Sequence, residues 1–206
     1  MKIPNLTIIT INQNNITDFS AVRNAELQKA STDWVLFLDQ DEKLTPDLEL
    51  EISRVIKSKT YPAYFLRRED TFLRKTLKYG ETAHVKLLRL ARRDFGQWER
   101  PVHELWVGEG RVGELKNPLL HHPHQSISEF LRKINKYSSL EAEYRFKKKV
   151  HPTLFPVIFY PPAKFVRNYF LLLGFRDGIP GLIMALMMSF HSFLTWTKLY
   201  LLWQKK

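Results

Sequence analysis

The nine residues WVLFLDQDE, Trp34 to Glu42, constrain the fold more than any other stretch of the chain. A run that is apolar at every position from Trp34 to Leu38 reads as a central parallel strand, buried on both faces. Two carboxylates, Asp39 and Asp41, follow it directly. Open α/β sheets bind their ligands beyond the carboxyl ends of such strands. Two hard oxygen donors in that place suit a divalent cation, which in turn neutralises a diphosphate. A solvated turn that feeds a cap at Thr45 is the alternative reading of the same residues.

The neighbouring stretches supply the other layers of an α/β fold. Leu6 to Ile11 is a β-branched, apolar run suited to a strand, and Asp18 or Ser20 can cap a helix that runs through Ala30. Thr45 and Pro46 form an N-cap and first-turn pair, and Leu48, Ile52, Val55 and Ile56 line one face of the following helix. Shorter strands are expected at Ala63 to Leu66, Val85 to Leu90 and Trp106 to Val107. The pattern predicts α/β structure first, a mixed sheet later and a helical tail.

Charge divides the 206 residues unevenly. Of a formal net charge of +11, the stretch from Glu143 to Lys206 carries +8, and the same stretch holds the runs LFPVIFYPP, NYFLLLGF and IPGLIMALMMSFHSFLTW. Composition therefore places a boundary near residue 150, with a domain over 1–150 and a basic, apolar tail over 151–206. Cations beside aromatic and long apolar runs are what a segment on an anionic bilayer displays. Gly178 to Thr197 is apolar enough to span a bilayer. A polar stripe of His191, Ser192, Thr195 and Lys198 favours a helix that lies in the interface or docks on protein. Because the positive charge travels with apolar runs rather than along a polar groove, no nucleic acid is expected as a partner.

Absences remove other chemistries. The chain has no Cys, so disulfides, thiolate nucleophiles and cysteine-ligated zinc are excluded. No phosphate-binding loop, dinucleotide fingerprint or serine-hydrolase elbow occurs. The first residues, MKIPNLTIITI, lack the apolar core and cleavage site of an export signal, which makes a cytoplasmic location the expectation.

Two further clusters carry candidate chemistry. In ERPVHELW, Glu104 is a candidate proton acceptor beside Trp106, and His103 a candidate cation or phosphate ligand. If Val102 to Val107 is a strand, these two side chains point to opposite faces, and by pattern alone a structural His is the commoner outcome. In LLHHPH, the spacing of His121, His122 and His124 matches known zinc sites poorly. Arg67, Arg68, Lys86, Arg89, Arg92 and Arg93 read as a solvated basic rim, of which one or two can reach a phosphate.

Taken together, FSAVRNAELQKASTDWVLFLDQDEKLTPDLELEI, VKLLRLARR, RPVHELW, GELKNPLLHHPH and the helical tail resemble the family 2 glycosyltransferases, of the GT-A fold. Within it they resemble the branch that decorates lipopolysaccharide cores and other envelope glycans. The resemblance implies that Arg23 and Asn24 contact a nucleotide-sugar donor, UDP-linked by preference, and that Asp39 and Asp41 grip its diphosphate through Mg²⁺ or Mn²⁺, with His103 on the same cation. It implies Glu104 as the base of an inverting hexosyl transfer to a glycan or lipid-linked acceptor, at the inner face of the cell membrane. Family members begin with a strand, a helix and a second strand that cradle the nucleoside. Here some twenty residues precede Arg23, so either Leu6 to Ile11 is the first strand with a deletion after it, or it is the strand just before the Arg-Asn helix and the first nucleotide-binding unit is incomplete. The ordinary length of the connection from Ile11 to Arg23 favours the second. A noncatalytic, membrane-associated scaffold is the competing expectation.

Overall fold

The computed structural model describes residues 3–12, 16–123 and 126–205. His124 of the histidine cluster lies outside them. Two compact units divide the chain, one of Met1–Glu69 with Val85–His122, the other of Asp70–His84 with Pro123–Lys206. Compactness thus divides the chain at a different place from composition: residues 123–150 form one unit with the tail helices, and so does the segment 70–84.

The first unit is mixed α/β. In chain order it contains β1 (Leu6–Ile11), α1 (Phe19–Lys29), β2 (Trp34–Asp39), β3 (Glu42–Leu44), α2 (Pro46–Ser58) and most of β4 (Ala63–Phe72). After β5 (Lys75–Thr76) of the second unit come β6 (Lys86–Arg92), β7 (Gly96–Glu99), β8 (Leu105–Gly108), β9 (Val112–Glu114) and β10 (Leu119–His121). The main sheet runs β1-β2-β6-β4-β10-β3, β9 pairs with β4 in parallel, and β7 and β8 form a separate antiparallel ribbon. β1 and β2 are parallel from Leu6↔Trp34 to Ile11↔Asp39, so β1, α1 and β2 form a βαβ crossover.

Every residue of β2 is buried, as an apolar run without alternation requires. Its two faces feed different cores. Trp34, Leu36 and Leu38 pack with Leu48, Ile52 and Ile56 of α2, whereas Val35 and Phe37 pack with Leu27 and with Trp98 and Trp106 of the ribbon. Strand alternation then points Asp39 to the same side as Phe37, toward α1 and the ribbon. The helix starts follow from their caps: the Asp18 side chain accepts from Ala21 N at 2.9 Å, and Thr45 Oγ1 accepts from Leu48 N at 3.1 Å ahead of Pro46.

β4 extends well past the expected Leu66, because Arg67, Arg68 and Glu69 continue the extended backbone without an apolar signal. Leu73 and Arg74, both left-handed at φ 48 and 62, turn β4 into β5. Two successive positive φ values normally call for Asn or Gly, so this hairpin carries no sequence signal.

The second unit is mainly helical, with α3 (Ile127–Lys147), α4 (Leu154–Val166) and α5 (Ile179–Gln204). A π-helical turn over Arg167–Leu171 and a 3₁₀ turn over Gly174–Asp177 join the last two. Its core gathers Phe72, Leu77, Phe130, Ile134, Met184 and Met187. At Gly181 a Cβ would stand 2.0 Å from the Gly174 carbonyl oxygen, so the start of α5 packs against the 3₁₀ turn at a distance only glycine permits.

Candidate functional site

The carboxylate of Asp39 lies between two guanidinium groups. Arg23 Nη2 donates to Oδ1 at 2.6 Å and Arg89 Nη2 to Oδ2 at 2.9 Å. Arg23 Nε donates to Glu104 Oε1 at 2.9 Å, and Arg89 Nη1 stands 3.6 Å from the same oxygen. Arg23 is fully buried and Arg89 almost so. Both lie over the Trp98 ring, at 4.8 and 5.7 Å from its centroid. Cations buried this deeply are tolerated because carboxylates neutralise them and an aromatic face supports them.

Each part of this cluster has a local cause. Arg23 occupies the buried face of α1, one turn from Phe19 and one from Leu27. Arg89 sits within the apolar run Leu87 to Ala91 of β6, the strand between β2 and β4. The expected solvated rim is therefore corrected at Arg89: a cation flanked by apolar residues on a central strand has no route to solvent. That flanking is the sequence signal that could have found it.

Electrostatics separates the two adjacent buried carboxylates. Burial opposes the charge on Asp39, yet the guanidiniums of Arg89 and Arg23 outweigh it and hold its pKa below the ordinary carboxylate value. Glu42, whose Oε2 accepts from Asp39 N at 2.9 Å, is pushed up chiefly by burial.

The loop before β8 resolves the His-Glu pair. β8 begins only at Leu105, and His103 takes a left-handed φ of 52, so strand alternation does not govern the two residues. Glu104 turns in to Arg23, while His103 is exposed. The Pro101 carbonyl accepts from Phe19 N at 2.9 Å, which ties this loop to the start of α1.

Asn24 clamps the ribbon to α1. Its Nδ2 donates to Trp98 O at 2.9 Å and its Oδ1 accepts from Trp98 N at 2.8 Å. Asn24→Ala is expected to leave both Trp98 backbone groups without that partner and to cost about 1–3 kcal/mol, read as a lower urea midpoint at unchanged m-value. An unaltered midpoint would show that the clamp contributes nothing.

Asp41 has a different neighbour. His121 Nε2 stands 3.6 Å from Asp41 Oδ1, and the Asp41 carbonyl accepts from His122 N at 2.9 Å. β10 brings them together by pairing with β3, placing His121 opposite Glu42. Among the described residues no three His, Asp or Glu side chains converge on one point. One carboxylate and one imidazole do fit a cation that takes its other ligands from phosphate and water. Asp39, with both oxygens held by arginine, suits orientation better than ligation. The structure thus brings Arg23, Asp39 and Glu104 together, adds Arg89, and sets Asp41 beside His121.

The chain is 30% identical over 186 residues to the lipopolysaccharide core biosynthesis glycosyltransferase LpsC of Rhizobium meliloti, covering 88% of this chain and 69% of that protein. It belongs to the glycosyltransferases. Uncharacterized glycosyltransferases of Rickettsia bellii and Rickettsia conorii are 24% and 26% identical, each over 81% of the chain. The chain spans 61% and 64% of those two relatives. No family model matches it.

Proposed function

We propose that this glycosyltransferase moves a hexosyl group from a nucleoside-diphosphate sugar, UDP-linked by preference, to a hydroxyl of an envelope glycan or lipid-linked acceptor, with inversion. The observation that carries the reading is the buried lattice in which Arg23 and Arg89 hold Asp39, at the carboxyl end of the central strand, beside Glu104. A family 2 enzyme of the GT-A type is the finer form of the proposal, supported by the parallel βαβ unit that ends in Asp39.

Inverting transfer needs an acceptor oxygen relieved of its proton on one face of the sugar and a diphosphate leaving from the other. Glu104 supplies the first requirement. One of its oxygens is anchored to Arg23, which fixes the carboxylate's orientation, and the side chain retains 14% exposure through which an acceptor hydroxyl can reach it. Asp41 and His121 would hold Mg²⁺ or Mn²⁺, whose positive charge stabilises the departing diphosphate. Arg23 and Arg89 keep Asp39 ionised and hold Glu104 in place, so the charges are arranged before the donor arrives.

Glu104→Gln keeps the shape and the hydrogen-bond capacity toward Arg23 but removes the base. It is expected to bind UDP with Mn²⁺ as the native chain does, and to lose at least about 100-fold in release of UDP from a UDP-hexose in the presence of membrane glycolipid extract. Undiminished turnover would assign the proton transfer elsewhere. A native chain that binds neither UDP nor other nucleoside diphosphates would overturn the enzymatic reading.

A further inference from the structure

Several polar side chains of α5 turn toward neighbouring helices while large apolar ones face out. In α5, Lys198 Nζ donates to Asn135 O and Oδ1 at 2.7 Å and to Ser138 and Ser139 Oγ at 2.8 Å, all on α3. Ser189 Oγ donates to Pro161 O of α4 at 2.6 Å, and the buried Thr195 bonds back to His191 O. Facing out on the same helix are Leu186, Phe190, Phe193 and Leu201, one stripe at helical spacing, each at least 40% exposed. α4 repeats the arrangement with Leu154, Phe155, Ile158 and Phe159, exposed by 61, 60, 58 and 52%, and the following turns add Leu171 at 72%. Apolar surface this continuous on one unit marks a contact with something other than water.

Charge identifies the contact. Lys147, Lys148 and Lys149 are exposed just before α4, and Arg167 and Arg176 are exposed in the turns after it. The one carboxylate between Val150 and Gln204 is Asp177. It is buried, and it accepts from Lys78 N and Tyr79 N at 3.0 and 2.9 Å. Glu81 stands 3.8 Å from Arg167 and 3.4 Å from Lys164, yet cations outnumber carboxylates along this border, and an apolar face with a net positive border complements acyl chains beneath anionic headgroups. A second copy would set like charges against each other.

Packing fixes how a bilayer is met. α5 is long and apolar enough to cross, at a mean hydropathy of 1.4 over its most apolar stretch and a length of about 39 Å. Yet it runs beside α3 along its length, from Met184 and Met187 against Phe130 and Ile134 to Trp203 against Phe146. α3 carries Glu129, Lys133, Glu141 and Arg145, and a spanning α5 would draw those charges into hydrocarbon.

We infer that α4, the turns after it and the outer stripe of α5 form a monotopic seat in the plane of an anionic bilayer. Phe155, Phe159 and Leu171 enter the acyl boundary, and Lys147 to Lys149 lie among the headgroups. The test is flotation of the full chain with phosphatidylcholine vesicles, with and without phosphatidylglycerol. Phe155→Ser/Phe159→Ser/Leu171→Ser changes exposed positions only, so circular dichroism should be retained while the bound fraction falls about tenfold or more. Lys147→Gln/Lys148→Gln/Lys149→Gln should weaken binding to the anionic vesicles alone. Unchanged flotation of the triple serine variant overturns the seat. So does a dimer in detergent-free buffer that leaves vesicles unbound, because a second copy then covers the face.

Orientation is tested separately. The chain has no cysteine, so Arg176→Cys and Gln204→Cys each introduce a unique thiol. Both should react with a membrane-impermeant maleimide added outside the vesicles. Protection of one alone means a spanning helix and overturns the in-plane arrangement.

Discussion

Replacing Arg89 with alanine is expected to destabilise the protein by about 3–5 kcal/mol, the largest effect of any single change considered. The guanidinium is buried and serves Asp39 Oδ2 at 2.9 Å and Glu104 at 3.6 Å, so among the described residues its removal leaves Arg23 as the cation paired with these two carboxylates. The sign of the accompanying pH effect follows from Asp39, whose pKa is held below its unfolded value. Its contribution to stability is present above the ordinary aspartate value of about 3.9 and is lost as pH falls through the lower folded value. Without Arg89 the folded value rises, and acid unfolding followed by circular dichroism should move to higher pH. Arg89→Lys should recover part of the stability, since it restores the charge but not the two-pronged contact. Equal acid midpoints for the native chain and Arg89→Ala would show that the ion pair carries no stability.

Asp41→Asn is expected to eliminate cation-dependent UDP binding. Loss of groups that merely support a ligand costs about 10–100-fold in metal affinity, so loss of a ligating carboxylate should exceed that range. Calorimetric titration with UDP, with and without Mn²⁺, isolates the effect: the difference between the two titrations should vanish in the variant. His121→Ala should reduce the same difference without abolishing it, because it stands 3.6 Å from Asp41 as the second donor. Intact Mn²⁺-dependent binding in Asp41→Asn would remove this residue from the cation site. Asp39→Asn tests the distinction drawn between the two aspartates, since it should lower the thermal midpoint as well as affect binding.

Several elements were legible in the residues because their signals are local. The unbroken apolar run from Trp34 to Leu38 specified a strand buried on both faces, and the Thr45-Pro46 pair specified the start of α2. The His-Glu pair was harder to read, since alternation assumed a strand that begins only at Leu105 and a left-handed residue at His103 has no marker in composition. β4 ran past its expected end because Arg67 to Glu69 hide an extended backbone behind polar side chains.

By itself, then, the sequence determined the α/β order of elements, the placing of Asp39 and Asp41 at the carboxyl end of the buried strand, and the basic, apolar character of the last helices. Those properties are written in short windows, where periodicity, caps and charge act between near neighbours. Only the tertiary structure decided that Arg89 is a buried partner of Asp39, that Arg23 also holds Glu104 from 81 positions away, and that His121 stands against Asp41. Such pairings depend on which strands become neighbours, and a salt bridge between distant residues leaves no periodic trace in the chain that makes it.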